Sequence, residues 1–142
     1  MNDWKKIKIW RKRKKTFTVE VYHSTDSPRG HFGGNYWHIY VFIYPGHPLF
    51  SQLEPNEDVC QELSKKIPFH RSASFFHAHC TSKGEVTSYQ IGCDYRHLYD
   101  EAYSFMETEE EAAPVFADAE KLLEYLEAAA ALSIPPQLKN NC

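Results

Sequence analysis

The most constraining stretch of the chain is residues 73–94, where two extended runs, SFFHAHCTS and EVTSYQIGC, flank Lys83-Gly84. A turn at that dipeptide pairs the runs as an antiparallel hairpin in which opposed residue numbers sum to 167. Ser82 then faces Glu85, Cys80 faces Thr87, Ala78 faces Tyr89 and Phe76 faces Ile91, and these pairs form the more apolar face. The same register sets His77 opposite Gln90 and His79 opposite Ser88 on a polar face, beside Thr81 and Val86. A hairpin of this kind needs further strands or a helix to cover its apolar side.

The rest of the sequence supplies them. Residues 16–22 (TFTVEVY) place Phe17, Val19 and Val21 on one side of a strand. Residues 36–44 (YWHIYVFIY) are apolar or aromatic on both faces apart from His38, the pattern of a central strand covered on both sides. Between them, STDSPRGHFGGN has the glycine and polar content of a mobile loop or lid. PGHPLF then turns the chain, because Pro45 and Pro48 cannot continue a ladder. Residues 55–67 read as a short helix started by Pro55 or Asn56, with Val59, Leu63 and Ile67 recurring on one side and Pro68 ending it. Pro114 opens a longer helix whose apolar stripe is Val115, Phe116, Ala119, Leu122, Leu123 and Leu126. TEEE at 108–111 is a solvated loop or the start of that helix. The expected class is α+β: a mostly antiparallel sheet with the hairpin at about 73–94 and two packed helices. At 142 residues the chain is of single-domain size, divided as a basic arm or edge strand (1–15), an α+β domain (16–134) and a C-terminal tail (135–142).

Charge narrows the partners. Residues 1–15 carry eight basic residues against one acid, net +7, so the remainder of a chain of net charge −3 carries −10. An acidic body disfavours a broad nucleic-acid surface, although the arm alone can hold phosphates weakly. Alternation of Ile7 and Ile9 with Lys6 and Lys8 also suits an edge strand whose lysines oppose sheet-to-sheet association. No apolar run reaches the length of a membrane span and no apolar block follows the basic start, which places the expected compartment in the cytoplasm. The cysteines Cys60, Cys80, Cys93 and Cys142 contain no CxxC spacing, and read as small apolar residues, with Cys142 the most open to reaction. GHFGGN lacks the spacing and the following lysine of a phosphate loop.

The histidines carry the remaining chemistry. His77 and His79, two apart on one strand, project the same way, and imidazoles so placed can ligate a divalent transition metal such as zinc. A third ligand is required, and Asp94, His97 and Asp100 follow at intervals of three, a spacing that converges if the segment makes a helical turn. Such a site would support metal-assisted hydrolysis, with an aspartate positioning water. The alternative reading makes the histidines hydrogen-bonding or interface groups, needing no cofactor, with Asp94 holding the turn after the strand. His47 stands in a rigid Pro-Gly-His-Pro presentation suited to binding or to a tight strand exit. His23 and His31 flank the loop.

Four segments together, GHPLF at 46–50, FHAHCTS at 76–82, IGCDYRHLYD at 91–100 and VFADAEKLLEYL at 115–126, resemble a family of small phage and prophage proteins with the pattern GHPLY, HGGLTY, GFDxxHxGD and a C-terminal helix. Gly46, His47, Pro48, His77, Gly92, Asp94, His97 and Asp100 match family positions; Ala78, His79 and Tyr99 depart from its glycines. The resemblance implies a phage-type accessory protein that binds and inhibits a host protein, such as a defence or CRISPR component. The competing class is a small metal-dependent hydrolase or ligand-binding protein built on the histidine/aspartate cluster. His47, His77, His79, Asp94, His97 and Asp100 are the candidate binding residues under both.

Overall fold

A computed structural model describes residues 6–25, 34–95 and 100–132. Five strands form one antiparallel sheet: β1 (Lys6–Arg13), β2 (Phe17–Thr25), β3 (Asn35–Ile43), β4 (Phe75–Cys80) and β5 (Val86–Asp94), in the spatial order β1-β2-β3-β5-β4. Helix α1 (Glu57–Ser64) lies between β3 and β4 in sequence, and α2 (Ala113–Leu132) follows β5. The α+β class, the hairpin and the two packed helices are as the sequence implies.

Residues Lys6–Arg13 of the basic segment form the edge strand, paired with β2 from Lys6↔Thr25 to Arg13↔Thr18. The segment's lysines on the helix side are tied down, Lys12 to Glu120 at 2.7 Å and Lys14 to Glu127 at 3.0 Å. At the other edge, the hairpin keeps the expected register from Phe76↔Ile91 to His79↔Ser88. It then departs, because a bulge sets Cys80 against Val86 in place of Thr87. Thr81 Oγ1 accepts hydrogen bonds from the amides of Lys83 and Glu85, and only Gly84 has positive φ, at 87°. A two-residue type I′ turn requires left-handed backbone at both central positions, which a lysine resists, so the loop lengthens around one glycine. The bulge also leaves Cys80 exposed, whereas Cys93 is buried, and burial pushes the Cys93 thiol up to about 12.

Helix starts follow side-chain chemistry. Asn56 Oδ1 accepts from the amides of Asp58 and Val59 and caps α1. Within α1, which ends at Ser64, Cys60 and Ser64 are fully buried; of the expected stripe Leu63 packs half-buried against the core and Ile67 is buried just beyond the helix. Ahead of α2, Thr108 Oγ1 accepts from the Glu111 amide while the Glu111 carboxylate accepts from the amides of Glu107 and Thr108. Those reciprocal bonds close a turn over the acidic run ahead of α2, whose own first turn holds no acidic residue.

The core lies between α2 and one face of the sheet. Trp37, Ile39, Val41, Ile43, Ile91, Leu122 and Leu126 are fully buried there. Both short 3-10 turns, Phe50–Gln52 and Glu101–Phe105, sit on this side: Phe50 packs on Tyr89, Ser104 O accepts from Asn35 Nδ2, and Trp37 Nε1 donates to Met106 O. All four described helical elements therefore cover one sheet face. The expectation that β3 is covered on both sides holds only at its start, where Tyr36 and Trp37 are both buried; from residue 37 onward burial alternates strictly, with His38, Tyr40 and Phe42 only half-buried.

Candidate functional site

Register places one set of side chains on the face that no described helix covers. Ile7 and Ile9 come from β1, Tyr22 from β2, His38, Tyr40 and Phe42 from β3, and Phe75, His77 and His79 from β4. The rings touch in sequence. Tyr22 meets Tyr40 at 5.9 Å between centroids, Tyr40 meets Phe75 at 5.5 Å, and Phe75 meets His77 at 6.4 Å. His77 meets His79 at 4.4 Å, His79 meets Phe42 at 6.0 Å, and His38 lies parallel to Tyr40 at 5.9 Å. Of the four exposed large hydrophobic residues described, three (Ile7, Ile9 and Phe75) belong to this face; only Phe105 does not.

Gly92 makes the central contact possible. A Cβ there would lie 2.4 Å from Tyr40 Cδ1, so the Tyr40 ring rests directly on the glycine backbone. Its burial raises the Tyr40 hydroxyl pKa above the usual phenol value. Charge on the face is balanced locally: Arg11 Nε donates to Glu20 at 2.7 Å. Thr18, at the foot of Phe42, shares a 2.7 Å hydrogen bond with Tyr44 Oη.

The sequence-derived candidates disperse. His77 and His79 are neighbours on the open face, as the hairpin register requires, and His79 Nε2 is 2.8 Å from Gln90 Oε1. Asp94 shares the face but pairs with His38 across the strands, four residues along β5 from the position opposite His77, about 13 Å at a strand's rise. Asp100 is on the other side. His97 lies outside the described residues, as do His31 and most of the loop read as a lid. Among the described residues, no group of three histidine, cysteine, aspartate or glutamate side chains could hold a metal ion.

His47 is 2% exposed, with Nε2 3.0 Å from the Leu126 carbonyl and Nδ1 accepting the Leu49 amide at 3.1 Å. These partners require the neutral ring protonated at Nε2, and desolvation lowers its pKa accordingly. It ties the 44–50 turn to α2. His23 is likewise inside, stacked on Trp37 at 4.2 Å and bonded to Asn35. Of the residues that carry the family resemblance, His47 and Gly92 are thus framework.

One cluster escaped the sequence reading. Asp100, 2% exposed, lies 3.1 Å from His70 Nε2 and 3.3 Å from Arg71 Nη2. His70 stacks on Tyr95 at 4.1 Å, and Tyr95 Oη donates to Asp118 at 2.6 Å. Arg71 holds left-handed backbone, φ 64°, a conformation that an arginine adopts only under constraint. This network anchors the chain after β5 to the segment before β4. Its only signal in the sequence was Asp100 itself, since His70 and Arg71 follow Pro68 in an aperiodic stretch.

Comparison with family models, curated proteins and solved structures returned no match for the chain. No helix among the described residues is long and apolar enough to cross a membrane.

Proposed function

We propose that this chain is a phage-type accessory protein that binds and inhibits a host protein, such as a defence or CRISPR component, and that it docks on that protein through the open face of its sheet. One observation carries the reading: three of the four exposed large hydrophobics described lie on a single face that also carries a continuous path of aromatic and imidazole rings. Soluble chains seldom leave a contiguous apolar face open unless something occupies it, and aromatic rings supply large contact area at small entropic cost.

Charge favours a protein over a nucleic acid as the occupant. Lys12 of the edge strand and Lys14 just after it already neutralise α2 carboxylates, and Arg11 neutralises Glu20. The phosphate-binding capacity of the arm is correspondingly reduced, while the acidic body repels a polyanion. The anchors are Tyr22, Tyr40, Phe42 and Phe75. Trp10 and Trp37 are not among them, because both pack toward α2 against Phe116.

A photo-crosslinking amino acid tests the reading when placed at Phe75 and, separately, at the solvated α2 position Glu124, with the full chain expressed in host cells. The expected result is one discrete crosslinked host protein from position 75 and none from 124. Crosslinks from 124 alone, or none from either, would overturn it.

A further inference from the structure

On the opposite side of the sheet from the docking face, a cleft of about 350 Å³ opens between edge strand β1 and helix α2. Its floor is aliphatic, made by Val19, Val21, Ala119 and Leu123, and Trp10 and Phe116 form its aromatic walls. The two rings stand at 89° with centroids 5.1 Å apart, and Trp10 is held from behind by stacking on Trp37 at 5.9 Å. The volume falls at the lower end of the range for small-molecule sites. An occupant is therefore the size of one substituted ring.

The rim decides its charge. Arg11, Lys12, Glu109 and Glu120 surround the mouth, a formally neutral set. Arg11 directs its guanidinium to Glu20, which belongs to the other face of the sheet. Lys12 is bound to Glu120 at 2.7 Å, and that hydrogen bond raises its pKa. Glu109 makes no ion pair among the described residues, which leaves one unbalanced negative charge in the lining it shares with Trp10 and Phe116. Ring faces attract organic cations, most strongly when an indole is among them.

We propose that the cleft is a binding site for a small organic cation, an aryl- or alkylammonium, whose apolar body lies against Val19, Val21 and Leu123 and whose ammonium group meets Trp10 and Glu109. The site is independent of the sheet-face docking reading, because the two surfaces share no side chain apart from Arg11.

Titration with 2-phenylethylammonium, followed at the Trp10 indole N–H by nuclear magnetic resonance, tests this on the full chain. The neutral control is 2-phenylethanol and the anionic control is 3-phenylpropionate. Saturable Trp10 shifts are expected, with the ammonium binding about three- to five-fold more tightly than the alcohol, the gain of a partly exposed cation–π contact, and the propionate binding least. Glu109→Gln should narrow the gap between ammonium and alcohol without weakening the alcohol. Ala119→Met should fill the cleft and remove all three shifts; if that variant does not fold, Glu109→Gln decides alone. No saturation by the ammonium up to about 10 mM, weaker than so small a ligand in a formed site should show, would overturn the proposal. So would equal binding of the three probes, or a Glu109→Gln variant that keeps the full preference for the cation.

Discussion

Replacing His47 with alanine should destabilise the fold by about 3 kcal/mol, read as a lower urea midpoint with an unchanged slope. The side chain is 2% exposed and serves two backbone groups at once, the Leu126 carbonyl and the Leu49 amide. Alanine leaves both without a partner where water has little access. The same geometry gives a pH signature. Only the neutral ring can accept from Leu49 while donating to Leu126, and burial lowers the folded-state pKa. The unfolded value is near 6.5. Stability owed to neutral His47 is therefore fully present above about pH 6.5 and is lost as pH falls through the lowered folded value. Wild type should lose stability between about pH 7.5 and about pH 5 by more than His47→Ala does, because the variant no longer has the group that must be protonated. Parallel pH curves for the two proteins would contradict this assignment.

Gly92→Ala should cost about 2–3 kcal/mol, the scale of forcing a methyl into a filled space. The new Cβ would meet Tyr40 Cδ1 at 2.4 Å, Tyr40 Cε1 at 2.7 Å and the Ile39 carbonyl at 3.0 Å. The Tyr40 ring cannot retreat freely, since it is flanked by Tyr22, His38 and Phe75. Tyr40→Ala should therefore relieve much of the cost, giving a coupling of about 1–2 kcal/mol in the double-mutant cycle. Urea unfolding of the four proteins measures it. A cost for Gly92→Ala that is the same with and without Tyr40 would show that the ring does not rest on the glycine.

Local features of the fold were legible in the residue order. Alternation in TFTVEVY marks Phe17, Val19 and Val21 as inward, and the hairpin register holds from Phe76 to His79. Asn56 and Pro114 mark the helix starts, and the stripe from Val115 to Leu126 is the buried side of α2. What failed depended on contacts distant in sequence or on backbone geometry. YWHIYVFIY reads as apolar on both faces, and only the placement of α2 leaves His38, Tyr40 and Phe42 on the uncovered one. Insertion of β5 between β3 and β4 is set by the pairing of His38–Ile43 with Tyr89–Asp94, which no local pattern encodes. The bulge at Cys80 follows from the reluctance of Lys83 to adopt left-handed backbone, a preference the hairpin spacing overlooked.

The candidate site was legible only in part. His77 and His79 do share a face, because a strand's period of two guarantees it. The spacing of Asp94 and Asp100 suggested convergence, yet the chain carries Asp100 away to His70 and Arg71, about thirty residues earlier. For His47 the sequence left binding or a tight strand exit open, and the two prolines and Gly46 turn it inward beneath α2. The open ring path was present in the sequence as His38, Tyr40 and Phe42 of β3 together with Phe75. Reading it required knowing that β4 and β3 both flank β5, so that Phe75 and Tyr40 meet over Gly92.

In the proposed mode a partner docks on the sheet face that no described helix covers. Hydroxyl-radical footprinting, comparing the chain alone with the chain recovered in its crosslinked complex, tests it most directly. Tyr22, Tyr40, Phe42 and His77 should be oxidised in the free chain and protected in the complex, while Tyr125 on α2 changes little. Protection at Tyr125 with undiminished oxidation at Tyr40 and Phe42 would contradict it and move the docking surface to the helix side.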